Sequence, residues 1–289
     1  MSEAPWPNLV VVGAMRCGTT SLHAVLGRHP EVFASPIKGP GLFLDPRRPV
    51  GYPSKYHSHA EKRGFRSDAE LRSAMARGLR GERWLAESTD VYARYPLVGP
   101  GVPERMLRAR PEMRLVYLLR DPVERILSQH RFERAKPHRP ARADLAAYLR
   151  SGADPIGASR YYTQLRRFLD AGFAREQVHV LTLEDLRRAP GAELERLARF
   201  LGVAGWPARA VTPLPHRNAT ANAPGPTPPR DCIDYLEEIL TPEVQALEDW
   251  LGRRLPFGSA QARRSRGSPR AQRTDAYTAS VRAASRSQP

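Results

Sequence analysis

A glycine-containing turn near the start of the chain has the residue types that bind a phosphate or sulfate group. The turn, GAMRCGTTS at 13–21, lies between an apolar run at 8–12 and a segment of helical spacing at 19–28. Backbone N–H groups at the start of a helix attract anions, and glycine lets the backbone approach them closely. Arg16 adds a permanent charge whose planar fork matches oxyanion geometry. The turn is therefore predicted to bind an oxyanion.

A second candidate anion site lies where the clearest predicted strand, 114–119, ends at Arg120. Pro122 begins the helix that follows, and Ser128 lies about two turns along it. A guanidinium at the carboxyl end of a strand and a hydroxyl two turns later can hold one phosphate from two directions. A nucleotide with two separated phosphate groups would suit both sites.

The elements that position these motifs alternate between strands and helices. Apolar runs of strand length are found at 8–12, 32–34, 84–87, 114–119 and 178–182. Helical spacing is found at 19–28, 68–80, 103–109, 122–134, 143–150, 160–171, 192–201 and, as one or two helices, 232–251. This alternation predicts an α/β fold, P-loop-like and three-layered, with a central parallel sheet flanked by helices.

Length and composition bound the organisation of the chain. The 289 residues predict one domain over 8–258. Residues 259–289 hold seven Arg and one Asp among small and polar residues, and we expect this tail to be disordered. The net charge of +16 includes +6 from that tail and rests on 42 Arg against four Lys, so it is weak support for nucleic-acid binding.

Location and redox chemistry are predicted from what the sequence does not contain. The first residues lack the pattern of a secretory signal, and no segment approaches the roughly 20 apolar residues of a membrane span. We therefore expect a cytoplasmic protein. Cys17 and Cys232 have no companion at the spacing of a disulfide framework or a zinc site, so we expect free thiols.

Taken together, the motifs resemble the sulfotransferase family, particularly its carbohydrate-type and bacterial members. The residues that carry the resemblance are VVGAMRCGTTSLHAVLGRHPEVF at 11–33, IKGPGLF at 37–43, WLAESTDVY at 84–92 and PERMLRARPEMRLVYLLRDPVERILSQH at 103–130. A weaker match covers 161–203. The resemblance spans about 200 residues in the family's order, and its combination of two anion motifs is specific.

The resemblance implies the donor 3′-phosphoadenosine 5′-phosphosulfate (PAPS), no metal, and an acceptor hydroxyl or amine on a carbohydrate or small-molecule natural product. The 5′-phosphosulfate would be bound by Arg16, Cys17, Gly18, Thr19, Thr20 and Ser21. The 3′-phosphate would be bound by Arg120 and Ser128, with Arg217 completing that site. Arg16 and Lys38 are the candidates for stabilising negative charge on the leaving phosphate. No oligomeric state is implied.

The proton acceptor for the reaction is left open by the sequence. Relatives commonly carry Glu directly after the position of Lys38, and this chain has Gly39 there. His130, two residues after Ser128, is the predicted catalytic base. The alternatives are His57, His59, Glu87, or an acceptor as acidic as a phenol, which would need little help.

Three other functions compete with sulfonate transfer. A P-loop nucleotide kinase would use ATP and Mg²⁺, but Thr19 occupies the lysine position of GxxxxGK[ST]. A nucleic-acid-binding protein would show binding that weakens steeply with salt and is lost with residues 259–289. A sulfotransferase fold that binds nucleotide without turnover is also compatible with Gly39.

Overall fold

The computed structural model describes residues 4–45, 65–98, 100–135, 144–151, 154–207 and 227–258. They fall into two units, the first within 1–120 and 163–219 and the second within 121–162 and 220–289. The predicted domain over 8–258 and the predicted disorder of the tail at 259–289 stay predictions, since the tail lies outside the described residues.

The first unit contains a five-stranded parallel sheet. Its strands are β1 (Leu9–Gly13), β2 (Val32–Ala34), β3 (Trp84–Ser88), β4 (Arg114–Leu119) and β5 (Val178–Thr182). Their order across the sheet is β2-β3-β1-β4-β5. β1 and β3 are buried at every position. β1 is accordingly apolar throughout, whereas β3 buries the polar Glu87 and Ser88 at its end. The predicted α/β fold with a central parallel sheet is confirmed.

Helices connect and cover these strands. They are α1 (Thr19–Leu26), α2 (Asp68–Met75), α3 (Val102–Ala109), α6 (Tyr161–Asp170, which begins in the second unit), α7 (Leu183–Arg188) and α8 (Pro190–Leu201). Ser67 caps α2, because its hydroxyl accepts a hydrogen bond from the Glu70 N–H. α7 was not predicted. It begins directly after β5, with Thr182 as its N-cap.

The strand register brings three loops out at one edge of the sheet. Val11 pairs with Ser88 of β3 and with Val116 of β4. The Ala14 N–H then donates to the Leu118 carbonyl at 2.7 Å. The loops that follow β1, β3 and β4 therefore start side by side at the carboxyl edge, where open α/β sheets bind ligands.

The second unit is helical. It contains α4 (Pro122–Arg134), α5 (Leu145–Leu149) and α9 (Arg230–Leu251), together with a 3₁₀ turn at Gly157–Ser159. Its core joins one face of α4 to α5 and α9, with Ile126, Tyr148 and Leu236 among the fully buried residues. The predicted "one or two" helices at 232–251 are one helix, which continues through Pro242.

Three general features follow from the described part of the chain. Within it, no helix is both long and apolar enough to cross a bilayer. A search of the same residues finds no group of three or more His, Cys, Asp or Glu placed to hold a metal ion. Cys17 and Cys232 are buried free thiols.

Candidate active site

The loop between β1 and α1 adopts an unusual backbone. Arg16 has a φ of 71° and Gly18 a φ of 96°, so left-handed residues alternate with ordinary ones. Such alternation turns successive N–H groups towards one point and forms a concave anion-binding nest. A left-handed conformation costs a residue with a side chain on the order of 1 kcal/mol. Strain of this kind at a loop predicted to bind an anion supports a functional role for the loop.

Two N–H groups of this loop are available to a ligand. The Cys17 N–H donates to Ala14 O at 3.1 Å and the Ser21 N–H to Gly18 O at 2.9 Å, so both are used within the loop. The N–H groups of Gly18 and Thr19 form no hydrogen bond with the residues that the structure describes. α1 also lacks a side-chain cap. The positive end of its dipole therefore presents two donors to an oxyanion.

The loop side chains differ in what they offer. Arg16, Thr20 and Ser21 are partly exposed. Cys17 is fully buried, with its Sγ 3.9 Å from Met15 O, so its side chain belongs to the core. Thr19 is also buried, and its hydroxyl donates to Asp90 Oδ2 at 3.4 Å. The structure thus connects this loop to a carboxylate that lies within the motif at 84–92 but to which the sequence assigned no role.

Arg120 lies in the same unit as the loop, one residue after β4 ends at Leu119. It is partly exposed. Because Ala14 is hydrogen-bonded to Leu118, the phosphate loop starts beside the strand end that leads to Arg120. The phosphate loop and Arg120 therefore follow neighbouring strands, β1 and β4.

Ser128 and His130 lie on α4 in the second unit. Both are 7% exposed, and the His130 ring centroid is 5.1 Å from that of Tyr148. Their predicted roles in phosphate binding and proton transfer stay predictions. Arg217, His57 and His59 lie outside the described residues.

The residues between Arg120 and Ser128 are structural. Asp121 caps α4 by accepting the Glu124 N–H at 3.0 Å. Arg125 is fully buried in the second unit and donates to Ser159 Oγ, Gln129 Oε1 and Pro155 O. A buried guanidinium with three acceptors holds its surroundings together and is not available to a ligand.

The loop that carries Lys38 is fastened to the end of β3. The Gly39 N–H donates to Ser88 O at 2.8 Å, and the Gly41 N–H donates to Thr89 Oγ1 at 3.1 Å. The Lys38 ammonium forms no hydrogen bond or ion pair with the residues that the structure covers, although its charge influences nearby groups. This cation is therefore available at the carboxyl edge of the sheet.

Glu87 lies at the centre of that attachment. Its Oε1 accepts hydrogen bonds from Thr89 Oγ1 and, at 3.4 Å, from the Tyr92 hydroxyl, which in turn accepts the Phe43 N–H at 3.1 Å. Burial raises the pKa of Glu87 to about 8, while these two hydroxyls and Lys38 oppose the rise. Its Oε2 forms no hydrogen bond with any residue in the described part of the chain. A fully buried carboxyl that stays protonated at pH 7 is poorly suited to take a proton from a substrate.

His23 on α1 forms a second connection between the elements. Its Nε2 lies 3.0 Å from Ser35 O and its Nδ1 2.8 Å from Ser88 Oγ. Because a carbonyl only accepts, Nε2 carries the hydrogen and Nδ1 accepts from the Ser88 hydroxyl. Burial lowers the pKa of His23, and so does the charge of Lys38. The neutral imidazole thus ties α1 to the ends of β2 and β3.

Comparisons with known proteins agree with this architecture. A sulfotransferase from Alicyclobacillus acidocaldarius is 26% identical, with a TM-score of 0.67 over 86% of this chain and 97% of that one. The sulfotransferase STF9 from Mycobacterium avium, 14% identical, shares the fold with a TM-score of 0.51 over 89% of this chain and 79% of its own.

Sequence comparisons also find sulfotransferases. The membrane-associated sulfotransferase kil1 of Dictyostelium discoideum is 28% identical over 126 residues, which are 44% of this chain and 23% of that protein. The chain therefore matches about a quarter of this relative's length. The model of the sulfotransferase family matches residues 7–208, which include the loop, all five strands and Arg120. The chain belongs to the sulfotransferase family.

Proposed function

We propose that the protein transfers a sulfonate group from PAPS to a hydroxyl or amine of a carbohydrate or small-molecule natural product. The observation that carries this proposal is the loop before α1. Arg16 and Gly18 have left-handed backbones there, and the N–H groups of Gly18 and Thr19 form no hydrogen bond with the described residues. Within a sulfotransferase, a concave set of donors at this position suits the phosphosulfate of the donor.

The donor would be held at both ends. The 5′-phosphosulfate is assigned to Arg16, Cys17, Gly18, Thr19, Thr20 and Ser21, and the 3′-phosphate to Arg120, Ser128 and Arg217. For Cys17 this contact is limited to the backbone, because its side chain is buried. Two anion sites predict that a nucleotide with a 3′-phosphate binds more tightly than ADP, which lacks that group.

Transfer requires an acceptor atom in line with the breaking bond and cations beside the leaving group. The acceptor attacks sulfur, the bond from sulfur to the 5′-phosphate oxygen breaks, and that oxygen takes the electron pair. Arg16 and the unpaired Lys38 are assigned to stabilise the resulting charge. His130 remains one proposed proton acceptor, and no metal ion is required by this assignment.

Calorimetric titration with 3′-phosphoadenosine 5′-phosphate (PAP) and with ADP tests the donor assignment. We expect PAP to bind at least 10-fold more tightly, and Arg120→Ala to weaken PAP by about 10- to 100-fold through loss of a charge-assisted contact. ADP binding should change little in that variant. Arg108→Ala, an exposed arginine on α3, is the matched control. Equal affinity for PAP and ADP in the wild type would contradict the proposal.

The proposal also includes the acceptor class and the location. We place the protein in the cytoplasm, although the name of the Dictyostelium relative describes that protein as membrane-associated. Fractionation of cells into membrane pellet and supernatant distinguishes the two locations. Transfer of ³⁵S from labelled PAPS to carbohydrate and to phenolic pools would separate the acceptor classes.

A further inference from the structure

Asp90 lies beside both ends of the phosphate loop, with its carboxylate at one end and its backbone carbonyl at the other. Asp90 follows β3 by two residues, and its Oδ2 accepts the hydrogen bond from the Thr19 hydroxyl at 3.4 Å. Its carbonyl oxygen lies 3.5 Å from the position that a Cβ on Gly13 would occupy. Asp90 therefore contacts the residue that opens the loop and the residue that starts α1.

Asp90 has the access to a ligand that Glu87 lacks. It is partly exposed, whereas Glu87 is completely buried. Its Oδ1 forms no hydrogen bond or ion pair with the described residues. One oxygen is thus fixed by Thr19, and the other is left to interact with a group bound at the loop.

The groups around Asp90 limit the negative charge that lies beside an anionic donor. Both Asp90 and Lys38 are close enough to Glu87 to affect it, Asp90 raising and Lys38 lowering the pKa of that carboxyl. Because burial keeps Glu87 protonated at neutral pH, Asp90 does not face a second negative charge there. Lys38 supplies a nearby positive charge that offsets the repulsion between Asp90 and the donor.

We infer that Asp90 is a catalytic residue that accepts the proton of the sulfonate acceptor. This inference rests on the proposed function. As the acceptor oxygen or nitrogen forms its bond to sulfur, its proton passes to Asp90 Oδ1. At the same time the bond from sulfur to the 5′-phosphate oxygen breaks and PAP leaves with that electron pair. Asp90 returns the proton to water after the product leaves.

Two other roles for Asp90 are separated by experiment. In P-loop NTPases a carboxylate near the hydroxyl of the phosphate loop helps to hold Mg²⁺. Asp90 could alternatively only orient Thr19. A metal role predicts loss of activity with EDTA, and an orienting role predicts that Thr19→Val reproduces the effect of Asp90→Asn.

The test compares wild type, Asp90→Asn, Thr19→Val, His130→Gln and the exposed control Glu104→Gln. The Asn side chain keeps the shape and can still accept from Thr19. Sulfonate transfer from PAPS is measured to a series of substituted phenols of decreasing pKa, with EDTA present. Release of sulfate from PAPS with water as the acceptor is measured in parallel, so that the result does not depend on phenols being good acceptors.

We expect Asp90→Asn to lower kcat by about 10²- to 10⁴-fold for the least acidic phenol and for water. The loss should shrink as the phenol becomes more acidic, while PAP affinity stays within about threefold, since a base contributes in the transition state. The inference would be overturned by an unchanged kcat in Asp90→Asn or by an equal loss of kcat for every phenol. It would also be overturned if the graded loss appeared in His130→Gln and not in Asp90→Asn. A wild type that neither binds PAP nor transfers sulfonate would instead refute the proposed function.

Discussion

Replacement of Glu87 by Gln tests whether the buried carboxyl is held neutral in the folded protein. The pKa of Glu87 is raised from 4.5 to about 8, so the native state keeps a proton that the unfolded chain loses. Stability from this group is therefore complete below about pH 4.5 and declines as the pH rises towards 8. Each pH unit across that interval lowers the free energy of unfolding by about 1.4 kcal/mol, or roughly 5 kcal/mol in total.

The Gln variant should be free of this pH dependence. Its amide oxygen can accept the hydrogen bonds from Thr89 and Tyr92 that Glu87 Oε1 accepts. We expect its free energy of unfolding relative to wild type to rise by roughly 3–4 kcal/mol between pH 5 and pH 8. Urea unfolding followed by tryptophan fluorescence measures this difference, with Glu104→Gln as an exposed control. A difference that stays constant over this pH range would refute the reasoning.

Arg16→Gly removes the guanidinium, so PAP affinity measured by calorimetry should fall about 10- to 100-fold. Because glycine suits the left-handed backbone, the midpoint of thermal unfolding should stay the same or rise. A lower midpoint would contradict strain at this position. Gly18→Ala places a Cβ 3.1 Å from Leu183 Cδ1, on a backbone with a φ of 96°. It should lower the free energy of unfolding, measured by urea denaturation, by about 1–2 kcal/mol. Ser159→Ala deprives the buried Arg125 of an acceptor and should lower the free energy of unfolding by about 1–3 kcal/mol. A variant as stable as the wild type would show that this hydrogen bond contributes nothing to stability.

The sheet was the most predictable part of the fold. β2, β4 and β5 have the predicted boundaries, because a strand buried on both faces leaves an apolar run that ends where the chain turns. The order of the strands was not predictable from these runs, since it depends on contacts between distant segments. α7 was missed although Thr182 followed by Asp185 is a recognisable helix start.

The site was predictable where it is local in sequence. The loop at 13–21 combines its strand, glycines and arginine within nine residues, and the structure adds the left-handed Arg16. His23 and Asp90 could not be found in this way. Their partners are Ser88 and Thr19, and these pairs meet only because β3 lies next to β1. The burial of Arg125, three residues before Ser128, was likewise not evident from the sequence.

The left-handed geometry of Arg16 is supported by hydrogen bonds within the loop itself, from the Cys17 N–H to Ala14 O and from the Ser21 N–H to Gly18 O. The conformational cost of shaping the loop is therefore met when the protein folds and does not subtract from the affinity for the donor. Such a loop is not expected to change its backbone conformation when the donor binds. Crystals grown without nucleotide should accordingly take up PAP by soaking, with the lattice and diffraction limit preserved and the backbone at 13–21 unmoved.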